Sequence, residues 1–375
     1  MKIGIDARMF GSGFGLARYA QQLVLHLEKI DYKNQYIIFL RKKNWDEFEP
    51  TNSNFIKVLA DIPWYGLAEQ IKFPAIIKKQ KVDLMHFPHW NVPLIYSGPF
   101  VVTIHDLIMY HFPRPTATTL SPITYWIKDH FHRLIVRNAV KCSSEIIATS
   151  EFTKTDIQKT LGVAMEKIEV TYQAPFLPNN EIQNLSPDHL KNFFNKHNIT
   201  RDYILYIGAA YPHKNLNTLI KGWKIFIERN GKENQLVLVG KENYFYRKLI
   251  NDYDLPQHNI VYTGYLSDNE LEILYNHALL YIFPSLYEGF GLPPLEAMAH
   301  NLPVASSDSS CLPEILQDAA YYFNPKDERA ISDAIQHLSM DQSLRARLIE
   351  RGQKLCASYS WEKLAQQTLE IYKNQ

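Results

Sequence analysis

Short runs of β-branched and aromatic residues alternate along the chain with longer stretches in which apolar side chains recur at helical spacing. KIGID at residue 2, YIIFL at 36, DLMHF at 83, FVVTI at 100, EIIAT at 145 and IEVTY at 168 form one series. YILYI at 203, QLVLV at 235, NIVYT at 259, LLYIF at 279, LPVAS at 302 and AAYYF at 319 form a second. Most of these runs are apolar at nearly every position. A strand covered on both faces reads that way, and both faces are covered where helices cross over a parallel sheet. Two such series predict an α/β chain of two doubly wound, parallel-sheet domains. The stretch from 173 to 200 has three prolines, several asparagines and little strand character, which marks a boundary. The expected division is 1–175, a linker with a first helix at 176–200, and 201–360, followed by an amphipathic helix at about 361–375.

Composition narrows the classes. A chain of 375 residues that is 46% hydrophobic can bury two cores of ordinary size. Its 40 basic and 39 acidic residues give no reason to propose a nucleic-acid binder. The charge is uneven, with 21 basic and 16 acidic side chains in residues 1–175 against 19 and 23 in the rest, so the first half is the one suited to an anionic surface. Three cysteines without a CxxC pair argue against a disulfide framework and a zinc site, and fit a reducing cytoplasm. MKIGIDARMF reads as a strand ending in an acid, not as a leader, and no apolar run approaches the roughly 20 residues a membrane span needs. A soluble cytoplasmic protein is expected. One segment, ITYWIKDHFHRLIVRNAVKC at 123, is a basic, aromatic, amphipathic helix that suits peripheral contact with an anionic membrane and equally suits packing on a sheet.

The densest chemistry is SLYEGFGLPPLEAMA at 285–299. A buried strand ends just before it, GFG lets a ligand approach closely, and the prolines fit a helix's first turn, where a missing N–H has no partner to lose. Backbone N–H groups at such a helix mouth suit an anion, and since Pro293 and Pro294 donate nothing, the donors are Gly289, Phe290, Gly291 and Leu292. Glu296 is read as a first-turn acid able to accept from a pair of ribose hydroxyls, and Glu288 flanks the anion site on its other side. Two acids around a phosphate site suit a nucleotide sugar. The plainer alternative is an ordinary cap and ordinary turn chemistry.

Other constellations lie at strand ends. YIGAAYPHKN puts Lys214 after the first strand of the second domain, where open α/β sheets bind ligands; a merely solvated lysine is the alternative. VVTIHDL puts His105 at another strand end, able to meet a sugar hydroxyl or to serve as a structural histidine. HFPHWNVP offers His89 and Trp90 as a candidate acceptor wall, for stacking or for packing. In GSGFGLARYA the glycines are spaced two by two, and the second strand ends without an acid, so a dinucleotide fingerprint is not met. The acids of DYD at 252–254 imitate a metal site but fall at a helix end.

EGFGLPPLEAMA resembles the Glu-x(seven)-Glu signature of glycosyltransferase family 4, within the glycosyl transferases group 1, the retaining nucleotide-sugar enzymes of the GT-B fold. The flanks TGYLSDNELEILYNHALLYIFPS and HNLPVASSDSSCLPEILQDAAYYFNP extend the likeness through the second domain. The resemblance implies two Rossmann-like domains facing across a cleft, with the terminal helix returning to the first. It implies that Glu288 contacts the donor sugar, Glu296 the ribose, Lys214 the diphosphate and His105 the sugar. It further implies that the loop with Gly13 and Gly15 faces the diphosphate, and that backbone near Tyr265 and Leu266 holds the base. Two departures stand out: Asn301 occupies a turn usually held by glycine, and Ala209, Ala210 and Tyr211 offer no arginine before Lys214. With Lys214 and amides neutralising charge, neither metal nor cofactor is expected. The PHKN and HDL details resemble mannosyltransferase-type members, which points to GDP-mannose as donor and a glycan or lipid-linked acceptor in cell-surface polysaccharide synthesis. Alternatives are a nucleotide-sugar epimerase of the same fold, an NAD(P)-binding oxidoreductase and a silent sugar-binding protein.

Overall fold

The structure is a computed structural model and describes residues 1–11, 15–113, 121–178 and 185–375. The chain divides into two compact units, Met1–Leu107 with Thr118–Gln173 and Ser360–Gln375, and Ile108–Ala117 with Ala174–Tyr359.

In the first unit, seven strands form one parallel sheet: β1 Lys2–Asp6, β2 Gln35–Leu40, β3 Phe55–Leu59, β4 Leu84–Phe87, β5 Phe100–Ile104, β6 Glu145–Ala148 and β7 Ile168–Val170. Their order is β3-β2-β1-β4-β5-β6-β7. The central strands are buried on both faces: Ile3, Ile5, Met85, Val101, Val102, Ile146 and Ile147 are all fully inaccessible. That burial is the physical origin of the unbroken apolar runs. β3 is the exception. It lies at the sheet edge, alternates in exposure and carries Lys57, which reaches the Glu49 carboxylate at 2.7 Å. Its sequence FIKVL therefore lacks the signature by which the other strands announce themselves.

The second unit repeats the plan with six parallel strands: β8 Tyr203–Ile207, β9 Gln235–Val239, β10 Ile260–Gly264, β11 Leu280–Phe283, β12 Val304–Ser307 and β13 Ala320–Phe323. The order is β10-β9-β8-β11-β12-β13. In both sheets the strand order reverses direction beside the first strand, between β1 and β4 and between β8 and β11. The crevice outside the carboxyl ends of such a strand pair is where open α/β sheets take ligands.

One detail differs from the sequence reading. Residues 108–113, expected within the first domain, pack on the second unit: the His111 ring lies 5.1 Å from Tyr287, and Phe112 lies 5.9 Å from His213. Ring contacts with Tyr287 and His213 hold the segment there. The helix Trp361–Lys373 packs along the helix Gly15–Ile30 in the first unit. Its Tyr372 hydroxyl meets His86 Nδ1 at 2.5 Å, while His86 Nε2 lies 2.8 Å from the Thr103 hydroxyl. No described helix is long and apolar enough to cross a membrane. The helix Pro122–Cys142 exposes Trp126, Ile127, Phe131 and Leu134, so the apolar face noted in the sequence is only partly used in packing.

Candidate active site

In the second unit, the loops after β8, β11 and β12 are tied to one another. After β8 the chain makes the short turn Pro212–Lys214 and continues through Asn215 in the left-handed conformation, φ 62°. The Asn215 amide group donates to the carbonyls of Pro284 and Pro325, at 3.1 and 2.7 Å, and so fixes this turn against the end of β11. The Leu286 amide donates to the His213 carbonyl at 2.7 Å, and the Glu288 amide donates to the Ser310 hydroxyl at 3.0 Å. Asn215 and Ser310 were not singled out by sequence reasoning. The left-handed position directly after PHK was the available signal for the first.

This scaffold brings Lys214 and Glu288 together. The ammonium lies 2.6 Å from Glu288 Oε1, with side chains only 17% and 9% exposed. It also sits 5.4 Å from the centroid of the Phe283 ring. The two residues are 74 apart in sequence, yet they stand at the carboxyl ends of neighbouring strands. A charge-assisted bond of this length in a site largely closed to water is strong.

Gly291 opens the following helix at φ 92°, a conformation that side chains rarely adopt. A Cβ there would also lie 2.8 Å from Leu312 Cδ2, a side-chain tip able to shift, so it is the backbone conformation that demands glycine. Gly289 and Phe290 are buried beside it, and Leu292 begins the helix Leu292–Ala299. Glu296 corrects the sequence reading. Counted from Leu292 it is the fifth residue, and the first turn contains no acid. The dipole's influence fades within the first turn, so Glu296 is suited to hydrogen bonding rather than to balancing the helix mouth. It is half-buried and accepts a long bond, 3.4 Å, from the Tyr275 hydroxyl. Asn301 adopts φ 59°, the left-handed turn that asparagine tolerates in place of glycine. Tyr265 and Leu266 follow β10, the first exposed and the second buried. Of the DYD acids, Asp252 is engaged by Lys248 at 2.7 Å across a helical turn.

The first unit holds the remaining candidates. Gly13 lies outside the described residues; Gly15 begins its helix with open space around its Cα. His105 follows β5. Its Nε2 donates to the Pro88 carbonyl at 2.9 Å, which leaves Nδ1 as an acceptor. The ring stands edge-on to Tyr19 at 4.6 Å. Burial pushes its pKa down to about 4, against the opposing pull of the Pro88 carbonyl, so it is neutral at pH 7. The donating role foreseen for it is thus already spent on Pro88. His89 and Trp90 follow β4 with ring centroids 4.3 Å apart, and Trp90 also meets Tyr65 at 5.6 Å and His132 at 4.3 Å. Trp90 is engaged in packing on several sides.

With that geometry in hand, comparison with known proteins gives a consistent result. Residues 15–174 match the model of Glycosyltransferase Family 4, and residues 190–355 match that of Glycosyl transferases group 1. The O-antigen chain mannosyltransferase RfbU of Salmonella typhimurium is 28% identical over 346 residues, covering 88% of this chain and 89% of the relative. The O-antigen chain mannosyltransferase B of Escherichia coli is 29% identical, covering 79% and 76%. Among solved structures, the sucrose-phosphate synthase of Thermosynechococcus elongatus superposes with a TM-score of 0.75 at 19% identity, covering 100% of this chain and 98% of the other. HepE of Anabaena, solved with UDP and glucose, superposes with a TM-score of 0.72 at 17% identity, each chain covered in full. Two Rossmann-like parallel sheets, the paired lysine and glutamate at a strand-order reversal, and two family models in series lead to one conclusion: this chain belongs to the GT-B glycosyltransferases of family 4, group 1.

Proposed function

We propose that the protein is a retaining, metal-independent hexosyltransferase that moves mannose from GDP-mannose to a glycan or lipid-linked acceptor in cell-surface polysaccharide synthesis. The observation that carries this reading is the Lys214–Glu288 pair at the ends of β8 and β11, next to a helix mouth opened by Gly291. The mannosyl and polysaccharide parts are supported by the names of the two O-antigen relatives.

In this reading the donor diphosphate takes the Lys214 ammonium, with backbone N–H groups of residues 289–292 as further donors. Glu288, released, accepts from the sugar's hydroxyls; Glu296 accepts from the ribose, and backbone at Tyr265 and Leu266 meets the base. His105 Nδ1 accepts from a sugar hydroxyl, consistent with its neutral state. The bond between the sugar's anomeric carbon and the phosphate oxygen breaks while the acceptor oxygen bonds to the same face. The acceptor's proton passes to the departing phosphate, and the nucleoside diphosphate leaves. Negative charge grows on that leaving group, which is where a fixed cation lowers the barrier most. No cofactor is required. Trp90 and His89 belong to the acceptor side. The exposed apolar residues of the helix Pro122–Cys142 suit peripheral contact with the cytoplasmic membrane face, where a lipid-linked acceptor would be met.

The test is transfer from GDP-mannose and UDP-glucose to a lipid-linked glycan primer in the presence of EDTA, with the product's anomeric configuration read by NMR. Transfer of mannose with retention supports the reading. Inversion, loss of activity on chelation, or hydride chemistry with NAD(P) would each replace it.

A further inference from the structure

The strand-order reversal of the first sheet, between β1 and β4, has its own crevice, in which Asp6, Trp64, His89 and Asn91 share the walls with Met9, Leu16, Ala20 and Pro88 and a buried polar network stands behind. Arg8, just past β1, is completely buried. Its Nη2 bonds Asp6 Oδ2 and Glu69 Oε1, both at 2.7 Å, its Nε bonds Asp6 Oδ1 at 2.7 Å, and its guanidinium lies 3.8 Å from the centre of the Phe73 ring. Burial works against the guanidinium's charge, but Asp6 and then Glu69 outweigh it and hold its pKa above the usual value. Glu69 is fully buried too and takes both carboxylate contacts of the Asn91 amide nitrogen, each at 2.8 Å. The network thus locks Asn91, itself only 4% exposed, in one orientation.

What this network presents is unspent. The crevice is lined by Asp6, Leu16, Trp64, His89 and Asn91 among others. Three of these carry buried polar atoms without a hydrogen-bond partner among the described residues: Trp64 Nε1, His89 Nδ1 and Asn91 Oδ1. Buried polar groups are ordinarily satisfied, and three orphans on one wall set are costly unless something visits them. They comprise a donor, an acceptor and a ring nitrogen that is either. The free room is about 10 Å³, enough for one water-sized group and no more.

We propose that this crevice is a socket that reads a single hydroxyl of the acceptor sugar, the indole N–H of Trp64 donating to it and the Asn91 carbonyl oxygen accepting from it. His89 closes the third side. The Asp6–Arg8–Glu69 network holds Asn91 in register, so Arg8 is a positioning residue that touches no substrate. The inference rests on the glycosyl-transfer reading and adds the acceptor recognition element to it. A socket of this kind discriminates by omission: a sugar lacking the hydroxyl leaves buried groups unpaired, whereas additional bulk elsewhere is indifferent.

The experiment uses the full chain and the Trp64→Phe variant, which keeps one aromatic ring and loses the pyrrole part of the indole together with its N–H donor. Methyl glycosides of mannose, glucose, galactose and N-acetylglucosamine are assayed as acceptors, each with its monodeoxy series, and donor binding is followed separately by titration with GDP-mannose. The expected result is that one monodeoxy analogue loses about 10- to 100-fold in kcat/KM with the native protein. Trp64→Phe should raise acceptor KM for the parent glycoside by about 10-fold, leave donor affinity alone, and shrink the native penalty for that analogue by a similar factor. An Asn91→Asp variant serves as the second probe, since it keeps size and removes the amide contacts to Glu69. Equal penalties for all monodeoxy analogues in native and variant proteins, or no acceptance of any glycoside while donor titration is intact, overturn the socket and leave it a resident water site. Loss of donor binding in the native protein would instead overturn the transfer reading on which it rests.

Discussion

Lys214→Ala removes an ammonium that lies 2.6 Å from a carboxylate whose side chain is 9% exposed. At an effective dielectric constant near 20, two charges at that distance attract by about 6 kcal/mol, and desolvation of both groups offsets much of it. Removing one partner of a buried pair commonly costs about 3–5 kcal/mol, because the survivor stays buried and unbalanced. Here the lysine is 17% exposed, and water can enter the vacated space, so about 2 kcal/mol of stability is the expected loss. The catalytic loss is separate: a cation aimed at growing charge on the leaving phosphate is worth about 100- to 1000-fold in kcat. Urea denaturation reads the first quantity and mannosyl transfer the second. The double variant Lys214→Ala with Glu288→Gln separates them, since neutralising Glu288 relieves the unbalanced charge. Stability should return to within about 1 kcal/mol of the Glu288→Gln single variant, and activity should stay about 100-fold below it. Activity equal to that of Glu288→Gln alone would refute the reasoning, because the lysine would then do nothing beyond balancing its neighbour.

Three further outcomes follow from the structure. Glu296→Gln should weaken GDP binding by about 10-fold in a calorimetric titration, as expected when a half-buried carboxylate that accepts from hydroxyls loses its charge. Tyr372→Phe leaves the Nδ1 of fully buried His86 without its partner and should lower stability by about 1–3 kcal/mol in urea, with little effect on nucleotide affinity. Burial lowers the pKa of His86 to about 3, helped by His105, and burial lowers that of His105 to about 4. Both are below the unfolded value near 6.5, so from pH 6.5 down to about 4 the unfolded chain binds more protons and stability falls with pH, by up to about 1.4 kcal/mol per unit for each histidine. The partly exposed His105 contributes less than that limit. Unfolding midpoints between pH 4 and 7 check this, and a flat profile contradicts it.

Much of the fold was legible because central strands buried on both faces write themselves as apolar runs. β3 was not, since an edge strand with one wet face and a paired lysine reads as loop. The glycines and prolines at 289–294 were legible as a helix mouth, because Gly291 needs a left-handed backbone that few residues adopt and the prolines need a first turn. Glu296 was misplaced by one turn, since the sequence carries no mark of where the helical count starts. The resemblance placed Lys214 and Glu288 at one donor, but their direct bond, and the chain from Asp6 through Arg8 and Glu69 to Asn91, were not legible. Apart from the local Asp6–Arg8 bond, the links join residues 22, 61 and 74 apart, which become neighbours only once the strand order and the helix Leu67–Gln80 are in place. The orphaned atoms of Trp64 and Asn91 are invisible for the same reason: being unpartnered is a property of surroundings, not of residue type.

The most direct test of the central claim is a crystal structure of the protein with GDP-mannose bound. The account predicts diphosphate oxygens within about 3 Å of the Lys214 ammonium, the Glu288 carboxylate turned to the sugar and the Glu296 carboxylate on the ribose. A nucleotide bound elsewhere, with Lys214 still closed on Glu288, would contradict it.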